Sequence, residues 1–348
     1  MTPAGSSSAS SPLRVAVIGV GNLGQHHARI YANDPGCQLV GVVDTDRKNG
    51  EKVAARHSTR FFADFRHLIG SIDAASVVVP TIYHHEVAST LLDHDIHTLV
   101  EKPITNTVKD AEDLIRRAQA KGLTLQVGHI ERFNSAIMRL GELVSTPAFL
   151  ECHRLGPYDP RVKDVGVVLD LMIHDLDIVL NLVKSRVVNV EAVGVGVYSD
   201  REDIANARLT FASGAIASLN ASRVTPYKKR KLRVWQPNAY LTVDYVEQEI
   251  EVWKRYRVPN PLPGQPAISI VRTKEKTEYK EPLKLEIEHF LNCIRTGNSP
   301  LVRGEHGRDA LELAVEISQQ IRQRIQSFVS NLTPPRGTPL VQAPPTSS

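Results

Sequence analysis

Three short stretches of this sequence hold residue types that can do chemistry together. Glu101-Lys102-Pro103 sets an ammonium between an acid and a rigid ring. A partly desolvated lysine can accept the proton of a hydroxyl, and as a cation it can steady a developing oxyanion. The plainer alternative is a solvated loop lysine. Asp170-Leu171-Met172-Ile173-His174-Asp175-Leu176-Asp177 sets an aspartate and a histidine four residues apart, with Asp177 one turn further on. On a helix these groups share one face. His174 could relay a proton or bind a hydroxyl; Asp170 could bind a second hydroxyl or orient the imidazole. A core histidine is the bland alternative, but polar groups on one stripe of an apolar helix are costly unless paired or used. Metal binding is conceivable at this spacing, yet no third ligand cluster stands out.

The third stretch is Gly19-Val20-Gly21-Asn22-Leu23-Gly24, which follows an apolar run and opens an amphipathic one. That context turns a weak glycine pattern into a dinucleotide fingerprint. Gly19 permits the tight turn, Gly21 lets the backbone approach a pyrophosphate, and Gly24 brings the helix close to the strand. Around Asn22 and Leu23 the helix N-terminus offers free amides to phosphates. Asp44 closes the next apolar run, 20 positions beyond Gly24 (44 − 24). An acid there can bind both ribose hydroxyls of NAD and repel the 2′-phosphate of NADP. Arg47 lies close enough to meet such a phosphate, so NADP stays open. A glycine turn followed by a surface aspartate is the structural alternative.

These residues need elements to position them. Over the first 130 residues, β-branched runs at Arg14–Ile18, Leu39–Val43, Ala75–Val79, His97–Val100 and Leu123–Val127 alternate with amphipathic stretches at Gly24–Asn33, Lys48–His57, Tyr83–Asp93 and Asn106–Ala120. Apolar strands alternating with helices predict parallel βαβ units and a doubly wound α/β Rossmann sheet. After about Asn134 the texture changes. An apolar helix over Val167–Val183 precedes strand-like runs at Val187–Val197, Ala205–Phe211, Ala215–Ser222, Lys231–Trp235, Ala239–Val243 and Glu249–Lys254. Short turns between them favour a mostly antiparallel sheet in an α+β domain. A Pro-rich connector over Pro259–Pro266 leads to two helices, Leu283–Arg295 and Gly304–Ser327. The expected organisation is a Ser/Ala/Pro-rich disordered tail at 1–12, a dinucleotide-binding domain at 13–130, an α+β substrate and oligomerisation domain at 131–330, and a second disordered tail at 331–348.

The chain has 348 residues and a formal net charge of +4, which suits an anionic small ligand and is too weak to argue for nucleic acid. The basic run Lys228-Lys229-Arg230-Lys231 lacks aromatic interleaving beyond Tyr227 and is expected to be a solvated strand face. Cys37, Cys152 and Cys293 have neither metal-ligand spacing nor an even count, which favours a reducing compartment. The N-terminus does not read as a secretory signal, and no run approaches the roughly 20 apolar residues of a membrane span. A cytoplasmic protein without membrane insertion is expected.

In this order, the three stretches resemble the Gfo/Idh/MocA family of sugar and polyol dehydrogenases, over about Leu13 to Phe328. The pattern includes His27 trailing the glycine loop, Asp44, the strand-end Pro80 with His85 in Val79-Pro80-Thr81-Ile82-Tyr83-His84-His85, the Glu101-Lys102-Pro103 tripeptide, and the Asp170/His174 pair. The resemblance implies that Lys102 and His174 manage a hydroxyl proton while Asp170 binds or orients. It implies that Pro80, His85, Glu101 and Lys102 border the dinucleotide, that the second domain builds homodimers or homotetramers on its open sheet face, and that the Lys102–Pro103 bond is cis. Gly128-His129-Ile130-Glu131-Arg132-Phe133-Asn134 is similar to the matching segment of the UDP-N-acetylglucosamine 3-dehydrogenase subgroup. That implies oxidation of a sugar 3-hydroxyl ahead of an amine-installing step in lipid A biosynthesis, with Arg132 contacting substrate, for instance at a phosphate. Arg132 paired structurally with Glu131 or another carboxylate is the alternative. Free sugars or inositols suit the same catalytic set. A non-enzymatic, dinucleotide-sensing regulator is the reading from a different class, and the presence of both Lys102 and His174 argues against it.

Overall fold

The computed structural model describes residues 11–159, 165–259 and 265–331. Both expected tails lie almost wholly outside the described residues, as does much of the Pro-rich connector. Six parallel strands form the first sheet, in the order β3-β2-β1-β4-β5-β6: β1 (Leu13–Ile18), β2 (Cys37–Val43), β3 (Arg60–Phe62), β4 (Ala74–Val77), β5 (His97–Glu101) and β6 (Leu125–Gly128). This is the doubly wound order, whose reversal lies between β1 and β4, where such sheets bind ligands. β1, β4 and β5 are buried on both faces over most of their length, which is why they read as unbroken apolar runs. Helices α1 (Gly24–Asn33), α2 (Arg47–Arg56), α3 (His84–Asp93) and α4 (Val108–Lys121) make the crossovers. Local chemistry sets their ends: the Thr107 hydroxyl accepts from the Asp110 amide at the start of α4, and Gly122 stops it at φ 64°.

The second sheet has eight strands in the order β14-β13-β12-β11-β7-β10-β9-β8. They are β7 (Phe149–Leu155), β8 (Val187–Val195), β9 (Ile204–Phe211), β10 (Ile216–Ser222), β11 (Lys229–Gln236), β12 (Ala239–Asp244), β13 (Glu249–Arg257) and β14 (Ile268–Lys276). All neighbours run antiparallel except β7 and β10, which are parallel. Helices α5 (Ser135–Leu143), α6 (Ile173–Val183) and α8 (Gly304–Asn331) contribute to the core on one face of this sheet. Three strands are additional to those expected. β3 is short. β7 alternates Leu150, Cys152 and Arg154 on its inward side, and an inward arginine breaks the apolar signal. β14 is exposed along its whole length and therefore carries no alternation.

The end of the chain returns to the first domain. From α7 (Pro282–Thr296), Leu283, Ile287, Phe290 and Leu291 enter the same core as Val15, Val17 and Tyr31. The Gln126 side chain donates to the Glu286 carbonyl at 3.0 Å, and the Val127 amide donates to the Val302 carbonyl at 3.0 Å. The segment drawn as 131–330 in the sequence is thus shared between two cores. The three cysteines are free, and no helix among the described residues is long and apolar enough to cross a membrane.

Candidate active site

The glycine turn is built for close approach. Gly19 has φ +86°, and a Cβ there would press on the Val78 carbonyl. A Cβ on Gly24 would collide with the Gly19 carbonyl, whereas Gly21 faces nothing within 4 Å. Helix α1 begins after Leu23 with no side-chain cap and no acid in its first turn; the Gln25 and His26 amides donate to the Gly21 and Leu23 carbonyls, and the amides ahead of them face the turn, where an anion would bind. Asn22 stands at the exposed crest of the turn, and its carbonyl accepts from Gln25. Asp44 braces the loop from the end of β2, accepting from the Val20 amide at 3.0 Å, the Asp46 amide at 2.9 Å and the Asn49 side chain at 3.2 Å. Arg47 turns outward to Glu51 at 2.7 Å and is 82% exposed. Open backbone at Gly21, an uncapped helix start and a fixed acid fit NAD.

β5 delivers Glu101, Lys102 and Pro103 to the carboxyl edge of the sheet, and the Lys102–Pro103 bond is cis. The Lys102 ammonium donates to the Asp170 carbonyl at 2.8 Å and lies 3.7 Å from the Asp170 carboxylate. Residues from the two domains therefore meet here. Glu101 is buried and holds the tripeptide: one carboxylate oxygen pairs with His27 Nε2 at 3.2 Å, and the other accepts from the Lys102 amide at 3.2 Å. His27 Nδ1 continues to Ser76 at 3.1 Å, and Ser76 to the Tyr31 hydroxyl at 2.8 Å. Gly128 makes room for the Glu101 carboxylate, which lies 2.8 Å from where a Cβ would sit.

Asp170 lies in a π-helical turn, Val168–Met172, that runs straight into α6. Single π turns occur often at functional sites. His174 follows on α6, its ring 6.4 Å from that of His129 in an edge-to-face arrangement. His174 Nδ1 and both ring nitrogens of His129 are buried without a protein partner. Burial, and then the nearby Lys102 and Arg154 charges, hold the His174 pKa well below its ordinary value. The ring is thus neutral near pH 7, able to accept one hydrogen bond and donate another. Burial depresses His129 in the same way.

The other acids of this helix are buried in pairs. Asp175 binds the Arg154 guanidinium twice, at 2.9 and 3.0 Å, and Arg154 also donates to Glu131 at 2.8 Å. Asp177 takes a bidentate grip on Arg132, at 2.6 and 3.1 Å, with both side chains almost fully buried. This corrects the expectation for Arg132: its guanidinium is committed to Asp177, the structural alternative, because a buried charge requires a partner. A cavity of about 790 Å³ lies against this pair and includes none of Lys102, Asp170 or His174.

The His85 ring pairs with Asp113 of α4 at 2.9 Å. The neighbouring His84 is buried between the Val79 and Pro103 carbonyls, each 2.9 Å from one of its ring nitrogens. It ties the Pro80 loop to the tripeptide. Pro80 itself stands exposed at the start of the short turn Thr81–Tyr83, beside that tie. In the basic run Lys228 is exposed and the Arg230 and Lys231 side chains are each 41% exposed, as a solvated strand face requires, and Arg230 also lines a cavity of about 390 Å³ with Lys228, Arg154, Tyr158, Arg223 and Asp170. The alternation of β11 held the clue, since Arg230 is in phase with the buried Leu232 and Val234.

The carboxyl edge of the first sheet thus brings together the Lys102 ammonium, the neutral His174 imidazole and the Asp170 carboxylate. Residues 13–129 match the family model for the oxidoreductase family with an NAD-binding Rossmann fold, and residues 138–242 match the GFO/IDH/MocA C-terminal domain. The chain is 36% identical over 320 residues to UDP-N-acetylglucosamine 3-dehydrogenase of Acidithiobacillus ferrooxidans, covering 91% of this chain and 98% of that one. It is 24% identical to scyllo-inositol 2-dehydrogenase (NAD(+)) of Bacillus subtilis, over 89% and 94% of the two chains. Among solved structures, the A. ferrooxidans enzyme superposes with a TM-score of 0.83 at 35% identity, over 89% of this chain and 98% of that one. Both domains agree with these matches, and the chain belongs to the Gfo/Idh/MocA family of NAD-binding oxidoreductases.

Proposed function

We propose that this protein oxidises a secondary hydroxyl of a nucleotide sugar, namely the 3-hydroxyl of UDP-N-acetylglucosamine. The observation that carries the reading is the meeting of Lys102 with Asp170 across the domain junction, beside a neutral His174. The 36% identity to a relative with that activity, over nearly its whole length, supplies the substrate. NAD, when bound on the Gly19–Gly24 turn, supplies the hydride acceptor. Lys102 takes the hydroxyl proton, and its cation then steadies the oxygen as charge develops. His174 donates to or accepts from the same oxygen, and Asp170 orients Lys102 and binds a neighbouring hydroxyl. Glu101 and His27 keep the lysine backbone in place. The setting proposed is a cytoplasmic homo-oligomer that supplies a keto sugar to an amine-installing step of lipid A synthesis.

The test is a cofactor-reduction screen on purified protein, with NAD and NADP each offered against UDP-N-acetylglucosamine, other UDP-sugars, free N-acetylglucosamine and inositols. Turnover with NAD and UDP-N-acetylglucosamine is expected. Turnover confined to inositols or free sugars overturns the substrate, and no turnover with any alcohol overturns the enzymatic reading.

A further inference from the structure

The cavity beside Asp170 holds an arrangement of charge that the fold alone does not justify. In the antiparallel register of β7 and β11, Arg154 lies directly opposite Arg230. Like charges facing each other across a sheet are destabilising. Arg154 resolves its side of the conflict through Asp175 and Glu131. Arg230 does not: the Glu131 carboxylate, already bound by Arg154 at 2.8 Å, lies 3.5 Å from it. The Arg230 side chain is 41% exposed, and it faces the cavity. Its half-buried setting, and then Arg154, push its pKa down, so the cation is held where it is less stable than in water. An arginine keeps its proton at working pH, so a bound anion would offset that cost better than water alone. Lys228 lines the same cavity. Arg223 is already taken by Asp203 at 2.7 Å and by the Val165 carbonyl at 2.8 Å. The lining also carries the Asp159 and Asp170 carboxylates, Asp170 lying 3.7 Å from Lys102, and the cations left to meet a ligand are Arg230 and Lys228.

We propose that Arg230, assisted by Lys228, is the phosphate subsite of the substrate pocket and binds the diphosphate of a nucleotide sugar. This rests on the function proposed above and adds where its substrate is gripped. The cavity of about 390 Å³ has Asp170 on its wall, so a sugar reaching Lys102 and His174 leaves its phosphates over β11. Tyr158 lines the same cavity and offers a ring for a base or sugar to lie against. The β11 subsite is separate from the amides at the start of α1 that fit the cofactor's pyrophosphate. Discrimination against free sugars follows, because only a phosphorylated substrate satisfies Arg230.

The experiment measures binding of UDP and of inorganic pyrophosphate by calorimetry to the NAD-loaded full chain, in wild type, Arg230→Gln, Arg230→Lys and Lys228→Gln. NAD affinity and the melting temperature serve as folding controls. Loss of one charge-assisted contact predicts UDP binding about tenfold to a hundredfold weaker in R230Q. A smaller loss is expected in R230K and K228Q, with NAD affinity unchanged in all three. Unaltered UDP affinity in a folded R230Q or, should R230Q not fold, in both R230K and K228Q overturns the subsite, and leaves the nucleotide-sugar reading standing if UDP-N-acetylglucosamine is still turned over. Phosphate-ligand binding that depends on Arg230, without turnover of any UDP-sugar, keeps the subsite and overturns the nucleotide-sugar reading, pointing to a sugar phosphate. No binding of either probe to wild type overturns the subsite.

Discussion

Replacing Lys102 with alanine tests the proposed chemistry most directly. Both of its polar side-chain contacts go to Asp170, a hydrogen bond to the carbonyl at 2.8 Å and a looser ion pair at 3.7 Å. The two side chains are 20% and 23% exposed, so water can replace the lost partner. The structural cost is then about 1–2 kcal/mol, against a typical stability of ~5–15 kcal/mol, and the variant stays folded. The catalytic cost is larger. A positioned base contributes about 10²–10⁴-fold, and an oxyanion-stabilising donor about 10²–10³-fold. Because one ammonium serves both tasks, the losses overlap, and a fall in kcat of roughly 10³–10⁴-fold is expected, or ~4–5.5 kcal/mol of barrier. NAD affinity should stay within about twofold, since cofactor contacts come mainly from the glycine turn and Asp44. Steady-state NADH absorbance gives kcat, and titration of protein fluorescence with NAD gives affinity. Lys102→Arg keeps the cation but cannot surrender its proton, so it should bind substrate and remain slow. A folded K102A within tenfold of wild-type kcat, or a fully active K102R, refutes the assignment of Lys102 as the base.

Other expectations follow from the same geometry. Asp177→Ala strands the buried Arg132 cation and should cost about 3–5 kcal/mol in urea unfolding, while the double variant with Arg132→Met recovers most of it; a milder single effect would remove the pair from the list of stabilising features. His129 and His174 are held neutral chiefly by burial. Below pH ~6.5 the unfolded chain takes up protons that the native state refuses, so stability present above that pH drains away on acidification, at ~1.4 kcal/mol per pH unit for each ring. Urea midpoints at pH 7.5, 6.5 and 5.5 measure this, and a flat profile contradicts the neutral rings. Gly128→Ala would set a methyl 2.8 Å from the Glu101 carboxylate. The displaced tripeptide should lose about 10²-fold in kcat with NAD affinity little changed. Asp44→Ala removes the acceptor for the Val20 amide, and NAD should bind about tenfold more weakly or worse in the same titration.

The pieces legible in the sequence are those whose meaning depends on neighbours a few residues away. The Gly19–Gly24 turn, Asp44 at a strand end and the Asp170/His174 spacing all follow from local periodicity. Phase was harder. His84 and His85 are adjacent, and one residue turns a helix by about 100°, enough to send one ring into the junction and the other to Asp113. Arg132 needed a partner on a distant helix, Asp177, which no local pattern reveals. Arg154 and Arg230 sit on inward positions of β7 and β11, where a strand pattern expects apolar residues, so hydropathy hid one strand and the cavity beside the basic run. Violations of patterning of this kind gather around binding sites.

The return of α7 to the first sheet fixes what can be cut from this chain. A fragment ending near residue 130 would keep the glycine turn and Asp44 yet leave Val15, Val17 and Tyr31 without Leu283, Ile287, Phe290 and Leu291. The opening half of the molecule is completed by its closing helices, much as a belt needs its buckle. Severing the chain at the apparent domain boundary would therefore unpack the first core.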